Sequence, residues 1–246
     1  STRAGFAAIA AVLLGALATA APPDAPTSPA TMQRTLGTGF DVRWAEFPTD
    51  IASYSAKNPA AAAAHGFTNA RIRVDDELSD PTFAAHLETV IHDTLAAGLT
   101  PLLAKKVEAL KAEPSSASAL EGYVRWWGAA AARYQNTTHK LVFDLMVEPA
   151  DALGSDLDKL NKAYLQATTA IRQSNPTRII SFAPGHIASA DYLPQLQMPL
   201  SARPYAIPAL HTYAAGPKPA PPSKNSCTGH ATASPPYYFA RDVAAQ

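Results

Sequence analysis

Two rhythms of apolar positions alternate along this chain. Short runs rich in β-branched and aromatic residues read as strands: TLGTGFDV (35–42), ARIRV (70–74), LTPLLA (99–104), KLVFDLMVE (140–148), TRIISFAP (177–184) and AIPALHTY (206–213). Between several of them, apolar residues recur three and four apart, which is helical spacing. In 81–98, Phe83, Leu87, Val90, Ile91 and Leu95 fall on one face, and Gly98 is a natural C-terminal stop. Val124, Trp127, Ala131 and Tyr134 share a face in 120–135. The stretch 155–176 takes Ser155 as its N-cap and ends at Asn175-Pro176. No segment copies another, so what repeats is architecture.

Strands alternating with helices imply parallel strands joined by crossovers. Two architectures fit, an open doubly wound sheet and a (β/α)8 barrel. A dinucleotide-binding sheet wants G-x-G-x-x-G after its first strand; GTGFDV (37–42) has the first two glycines and then fails. A barrel wants polar residues at the C-terminal ends of several strands. Asp41, Asp75 and Asp76, Lys105 and Lys106, Glu148, His186, and His211 with Tyr213 fall there. The expected fold class is therefore α/β, a (β/α)8 TIM barrel, with about six of the eight strands in this chain.

Composition adds few constraints. The chain has 246 residues, 47% of them hydrophobic, enough for one sizeable core. Its 20 basic and 20 acidic residues cancel, and basic residues are scattered, so nucleic acid is not an expected partner. FAAIAAVLLGALATA (6–20), preceded by Arg3 and ending Ala18-Thr19-Ala20, reads as a secretory signal, with an uncleaved anchor as the alternative. The run is short for a membrane span. APPDAPTSPA (21–30) reads as part of a Pro-rich linker over 21–34. Cys227 is the single cysteine, so no internal disulfide forms. Asn136-Thr137-Thr138 is an N-glycosylation sequon, which suits a secreted protein. Ser1 in place of a methionine leads us to expect a sequence incomplete at its start.

Four pieces in order carry a family resemblance: GFTNARIRV (66–74), AAGLTPLLAKK (96–106), LVFDLMVEP (141–149), and NPTRIISFAPGHIASADYLPQLQMP (175–199) leading into ALHTY (209–213). Together they resemble the cellulase-type family 5 glycoside hydrolases, over roughly residues 35–215. That resemblance implies a retaining glycosidase on a (β/α)8 barrel, with one glutamate as general acid/base and a second, on strand 7, as nucleophile. By the same resemblance Glu148 matches the acid/base of the family's Asn-Glu-Pro motif. Arg71 matches the strand-2 arginine that helps hold the nucleophile, and His211 and Tyr213 match the His-x-Tyr lining the cleft. Read without the family, Arg71 or Arg73 is an ion-pair partner and His211 a hydrogen-bonded core histidine. The chemistry needs such residue types: a protonated carboxyl serves the leaving oxygen, and a carboxylate about 5–5.5 Å away serves the sugar.

Three features depart from the family. Val147 stands where it has asparagine, and Lys105 and Lys106 where strand 3 commonly ends in a histidine pair. A lysine beside Glu148 would lower its pKa, and Lys106 could instead bind a charged sugar. Third, 214–246 is Pro-rich and carries no further clear strand, so strands 7 and 8 and the nucleophile are expected to be missing from this chain. Trp126 and Trp127 lie on a predicted helix; both suit the core, with a sugar platform as the alternative for Trp126. His65, His86, His92, His139 and His230 show no metal-ligand spacing, and no metal or cofactor is expected.

The expectation is thus a signal peptide (1–20), a linker (21–34) and a C-terminally incomplete glycoside hydrolase barrel domain (35–246). It would be secreted and would cleave a β-linked, cellulose-like polysaccharide, with no membrane partner once the signal is removed. The alternatives are a catalytically degenerate carbohydrate-binding relative and an unrelated α/β-barrel enzyme.

Overall fold

A computed structural model describes residues 22–211. The signal-like run, Tyr213 and the Pro-rich stretch 214–246 lie outside the described residues. Six strands form one sheet: β1 (Gly39–Val42), β2 (Asn69–Val74), β3 (Thr100–Lys105), β4 (Val142–Asp144), β5 (Ile180–Phe182) and β6 (Ala206–Pro208). They lie in sequence order and every neighbouring pair is parallel. A sheet that adds each strand beside the last, always parallel, is an arc of a (β/α)8 barrel; a doubly wound sheet reverses its order at a switch point.

The alternation seen in the sequence sorts the two faces. In β2, Ala70, Ile72 and Val74 are fully buried and pack with Phe83, Leu87, Val90 and Ile91 of the following helix, while Arg71 and Arg73 take the other face. That helix, α3 (Pro81–Ala96), is capped by Asp80, whose carboxylate accepts from the Thr82 and Phe83 amides. It stops at Gly98, where φ is 85°. The helix α5 (Ala117–Arg133) buries Tyr123, Trp126, Trp127, Ala130 and Ala131.

The helix α7 (Leu157–Arg172) is capped by Asp156 rather than the expected Ser155. The Asp156 carboxylate accepts from the Lys159 amide and binds Lys159 Nζ, while Ser155 Oγ bonds Asp151 O and closes a separate short helix, α6 (Asp151–Ser155). Two further helices, α2 (Lys57–Ala64) and α4 (Glu108–Ala112), complete the helical layer after β1 and β3.

The stretch read as a linker packs on the barrel. Helix α1 (Pro29–Leu36), capped by Ser28, lays Met32 against Val142, Ile179 and Ile207 on the sheet face opposite the helices. Upstream, Asp24 accepts from the His139 amide and bonds the His139 ring and Thr138. A Pro-rich composition does not reveal a segment whose order comes from one methionine and one carboxylate.

Arg178, in the middle of NPTRII, is 1% exposed. Its five N–H groups all donate, to Asn175 Oδ1 and to the carbonyls of Thr138, Leu141, Tyr134 and Thr137. Burial pushes its pKa down to about 10, against the pull of Asp24. It gathers the turn before β4, including the exposed Asn136 sequon, at the end of the barrel opposite Glu148.

Candidate active site

Glu148 leaves β4 at the C-terminal mouth of the arc. The ladder continues past Asp144, with Leu145 N donating to Ser181 O and Val147 N to Lys105 O. Two α5 side chains, Tyr123 and Trp127, both donate to Leu145 O at 3.1 Å, and Tyr164 of α7 donates to Ala183 O at 2.7 Å. The helical layer thereby pins the ends of β4 and β5 from behind. Glu148 itself has φ 46°, in the left-handed region that non-glycine residues avoid.

A ring of contacts holds it there. Ile187 N donates to Pro149 O at 2.7 Å, and His211 N donates to Ala188 O at 2.9 Å. His211 Nδ1 then lies 2.9 Å from Glu148 Oε1. In that contact the imidazole N–H donates to the carboxylate or, with the carboxyl protonated, the carboxyl O–H donates to the ring. Among the described residues, every non-glycine with positive φ (Glu148, Asp151, His186, Ile187 and Ala188) belongs to the two loops that follow β4 and β5. Glycine lets these loops meet: a Cβ on Gly154 would sit 2.6 Å from Pro149 O, and one on Gly185 2.4 Å from Gly154 O.

Arg71 lies on the sheet face away from the helices. Its Nε donates to Asp144 Oδ2 at 2.6 Å, and its Nη1 reaches Asp41 Oδ1 at 3.5 Å. Burial opposes its charge, yet the Asp144 and Asp41 carboxylates outweigh burial and raise its pKa. Its Nη2 and the Asp144 Oδ1 are buried without a hydrogen-bond partner. The sequence reading missed Asp144. Its signal was a carboxylate inside the apolar run LVFDLM, because a buried charge needs a partner.

The two lysines that end β3 part company. Lys105 follows Leu103 on the helix side, where Nζ donates to the Asp75 and Asp76 carbonyls and sits 4.9 Å above the Trp126 ring. Burial lowers its pKa, against nearby carboxylates led by Glu77. Lys106 takes the other direction, binding Glu46 Oε1 at 3.1 Å with Asp75 and Glu108 at 3.9 and 4.0 Å. Glu46, 4% exposed, also pairs with Arg43 and Arg73, each at 3.1 Å. Lys106 is thus tied to a carboxylate that the sequence did not single out and that it shares with two arginines.

Trp126 is no sugar platform: it is 2% exposed and donates to Asp76 O beneath Lys105. His86 bonds Trp44 O, and His139 bridges Asp24 and Thr177. Among the described residues, no group of three or more His, Cys, Asp or Glu is placed to hold a metal ion. Nor is any described helix long and apolar enough to cross a membrane.

An arc of parallel strands defines the class, an α/β-barrel protein, and it holds the Glu148 carboxylate at the C-terminal mouth, where such barrels place their sites. The family description "Cellulase (glycosyl hydrolase family 5)" matches residues 38–233, and the chain belongs to that family. Endoglucanase H of Acetivibrio thermocellus is 27% identical over 135 residues, which make up 54% of this chain and 14% of that protein. The Clostridial cellulose synthase subunit Z of Clostridioides difficile superposes with a TM-score of 0.62 at 26% identity, over 72% of this chain and 62% of its own. Endoglucanase Cel5A of Thermotoga maritima gives a TM-score of 0.67 at 21% identity, over 76% and 63%, a likeness of fold. The chain therefore spans less than two thirds of the length of each of these relatives.

Proposed function

We propose that this chain supplies the first six strands of a secreted endo-acting hydrolase of a β-linked, cellulose-like polysaccharide, working with retention of anomeric configuration. Glu148 is the general acid/base. The supporting observation is the confinement of left-handed residues to the two loops around Glu148, together with the His211 contact. Each such residue costs roughly 1–2 kcal/mol, and strain of this kind gathers where a side chain must be aimed. Protonating the leaving oxygen calls for a carboxyl held at the mouth, and His211 offers Glu148 a partner for the proton it gives and regains.

The retaining route needs a second carboxylate about 5–5.5 Å from the first. We place it beyond β6, with the free Nη2 of Arg71 as the donor that would hold it ionised. His211 and Tyr213 line the sugar site in this reading, and Lys106 borders it through Glu46. Secretion accords with a polymer too large to enter a cell.

The test is Glu148→Gln in the full-length protein. The expected result is a loss of β-glucan hydrolysis of about 10²–10⁴-fold with oligosaccharide binding kept. Retention of configuration is read from the anomer first released. Unchanged hydrolysis overturns the assignment.

A second reading, a carbohydrate-binding relative without catalysis, draws on Val147. That side chain is apolar and 7% exposed, and cannot hydrogen-bond a sugar hydroxyl. Binding of gluco-oligosaccharide by a wild-type protein that never cleaves it would favour this reading.

A further inference from the structure

The sequon Asn136-Thr137-Thr138 is a motif that the acid/base site leaves unused. It is the single Asn-x-Ser/Thr in the chain whose middle residue is not proline. Asn175-Pro176-Thr177 has the same outline, but proline blocks it and Asn175 is 3% exposed. Asn136 instead is exposed, on the turn between α5 and β4. That turn precedes β4 and Glu148 follows it, so the two lie at opposite ends of the barrel.

The rest of the sequon is closed off in the fold. The Thr138 hydroxyl donates to Asp24, and Thr137 and Thr138 are half-buried. The Tyr134, Thr137 and Thr138 carbonyls all accept from the Arg178 guanidinium. A transferase that selects a hydroxyl two residues past the asparagine must engage that hydroxyl, which the folded turn gives to Asp24. Both clamps close late. Arg178 lies 40 residues beyond Thr138. Asp24 comes earlier, but it sits just ahead of α1, whose Met32 packs on Val142, Ile179 and Ile207. None of those three has been made when the sequon is synthesised. The acceptor is therefore open on the growing chain and shut in the finished barrel.

We propose that Asn136 carries an N-linked oligosaccharide, attached during synthesis before Asp24 and Arg178 close on the turn. This rests on the chain being secreted, because the transfer takes place at the secretory membrane. The donor is an oligosaccharide joined through its anomeric carbon to a lipid diphosphate. The Asn136 amide nitrogen forms a new bond to that carbon, and the carbon–oxygen bond to the diphosphate breaks. The nitrogen gives up one proton, and the lipid diphosphate leaves with the electron pair. The attached sugar projects from the closed end of the barrel, so the mouth stays clear for substrate.

The experiment expresses the full-length protein in secreting eukaryotic cells, once with its own N-terminus and once behind an unrelated secretion signal. Peptide N-glycosidase should lower the mass of the secreted protein by one oligosaccharide and convert Asn136 to aspartate. Asn136→Gln, a change at an exposed position, should be secreted without that shift. Unmodified Asn136 on protein that reaches the medium overturns the proposal. A glycan found only behind the unrelated signal supports the site and overturns secretion by the chain's own N-terminus. Occupancy is read by mass, so it stands or falls apart from the hydrolase reading. Timing has its own test, with microsomal membranes that carry the lipid-linked donor. A chain translated in their presence should be modified, whereas folded protein made without the glycan should accept none. Equal transfer to the folded protein overturns the order of events.

Discussion

His211 Nδ1 and Glu148 Oε1 meet at 2.9 Å across 63 residues of sequence, one past the end of β6 and the other past the end of β4. The two side chains are 24% and 37% exposed, so the pair is only partly withdrawn from solvent. Replacing His211 by alanine removes one partner of the proposed acid while leaving the backbone bond from residue 211 to Ala188. Hydrolysis by the full-length protein should fall about tenfold to a hundredfold. The loss should be largest for leaving groups that need a proton and smallest for nitrophenolate. Paired kcat measurements on cello-oligosaccharide and nitrophenyl cellobioside check this.

The Arg71–Asp144 contact is a buried ion pair, with side chains 12% and 2% exposed. Removing one member strands the other's charge. Asp144→Ala should therefore destabilise by about 3–5 kcal/mol, whereas a double change to apolar residues at both positions should recover much of that. Urea denaturation of the two variants separates a stranded charge from lost packing. Equal destabilisation by both would show that packing dominates.

Gly154 and Gly185 let the loops after β4 and β5 touch through their backbones. Gly154→Ala brings a methyl group against the Pro149 carbonyl, which belongs to the ring around Glu148. A stability loss of about 1–3 kcal/mol is expected, with kcat reduced more than KM is raised. Ala152→Gly, two residues away on the exposed side of the same short helix, is the control for local helix weakening.

Arg178 spends all five donors, one on Asn175 and four on carbonyls between Tyr134 and Leu141. Lysine has three donors, so Arg178→Lys leaves at least two of these acceptors without their bond. At about 1–3 kcal/mol for each, the variant should lose roughly 3–5 kcal/mol, read as a lowered Tm in calorimetry. Its distance from the mouth predicts unaltered KM below the new Tm.

Asp24 should leave a mark on acid stability. Burial alone would raise its pKa, but bonds from Thr138 and His139 and the His139 charge hold it below the ordinary 3.8. A depressed carboxylate contributes stability above its unfolded pKa and loses it as pH falls through the folded value. Asp24→Asn should therefore cost roughly 1 kcal/mol at pH 7, the carboxylate being partly screened by solvent, and progressively less below about pH 4. Urea midpoints at pH 7, 5 and 3 follow that convergence.

What could be read from the sequence was what depends on near neighbours. The alternation of Ala70, Ile72 and Val74 with two arginines defines both faces of β2. The threefold and fourfold spacing of Phe83, Leu87, Val90 and Ile91 defines the buried side of α3, and Gly98 its end. LVFDLM stopping at Glu148 and Pro149 placed a carboxylate at a strand terminus. Each is a statement about dihedral angles and side-chain direction over a few residues, which composition and period encode directly.

What the tertiary structure decided were choices of partner. Arg71 and Asp144 are 73 residues apart, Asp24 and His139 115, and neither pairing follows from period. Asp156 displaced Ser155 as a cap because Lys159 reached it, and Trp126 went under Lys105 rather than to a sugar. Residues 21–34 read as a linker, yet Met32 within them packs against Val142, Ile179 and Ile207. The left-handed run at 186–188 contains no glycine to announce it, and Pro149 O and His211 N, from beyond the ends of β4 and β6, accept from and donate to it. A local pattern fixes which way a side chain points, but the energy of a buried charge, a strained turn or a filled cavity resides in groups that only the register of distant strands brings within reach.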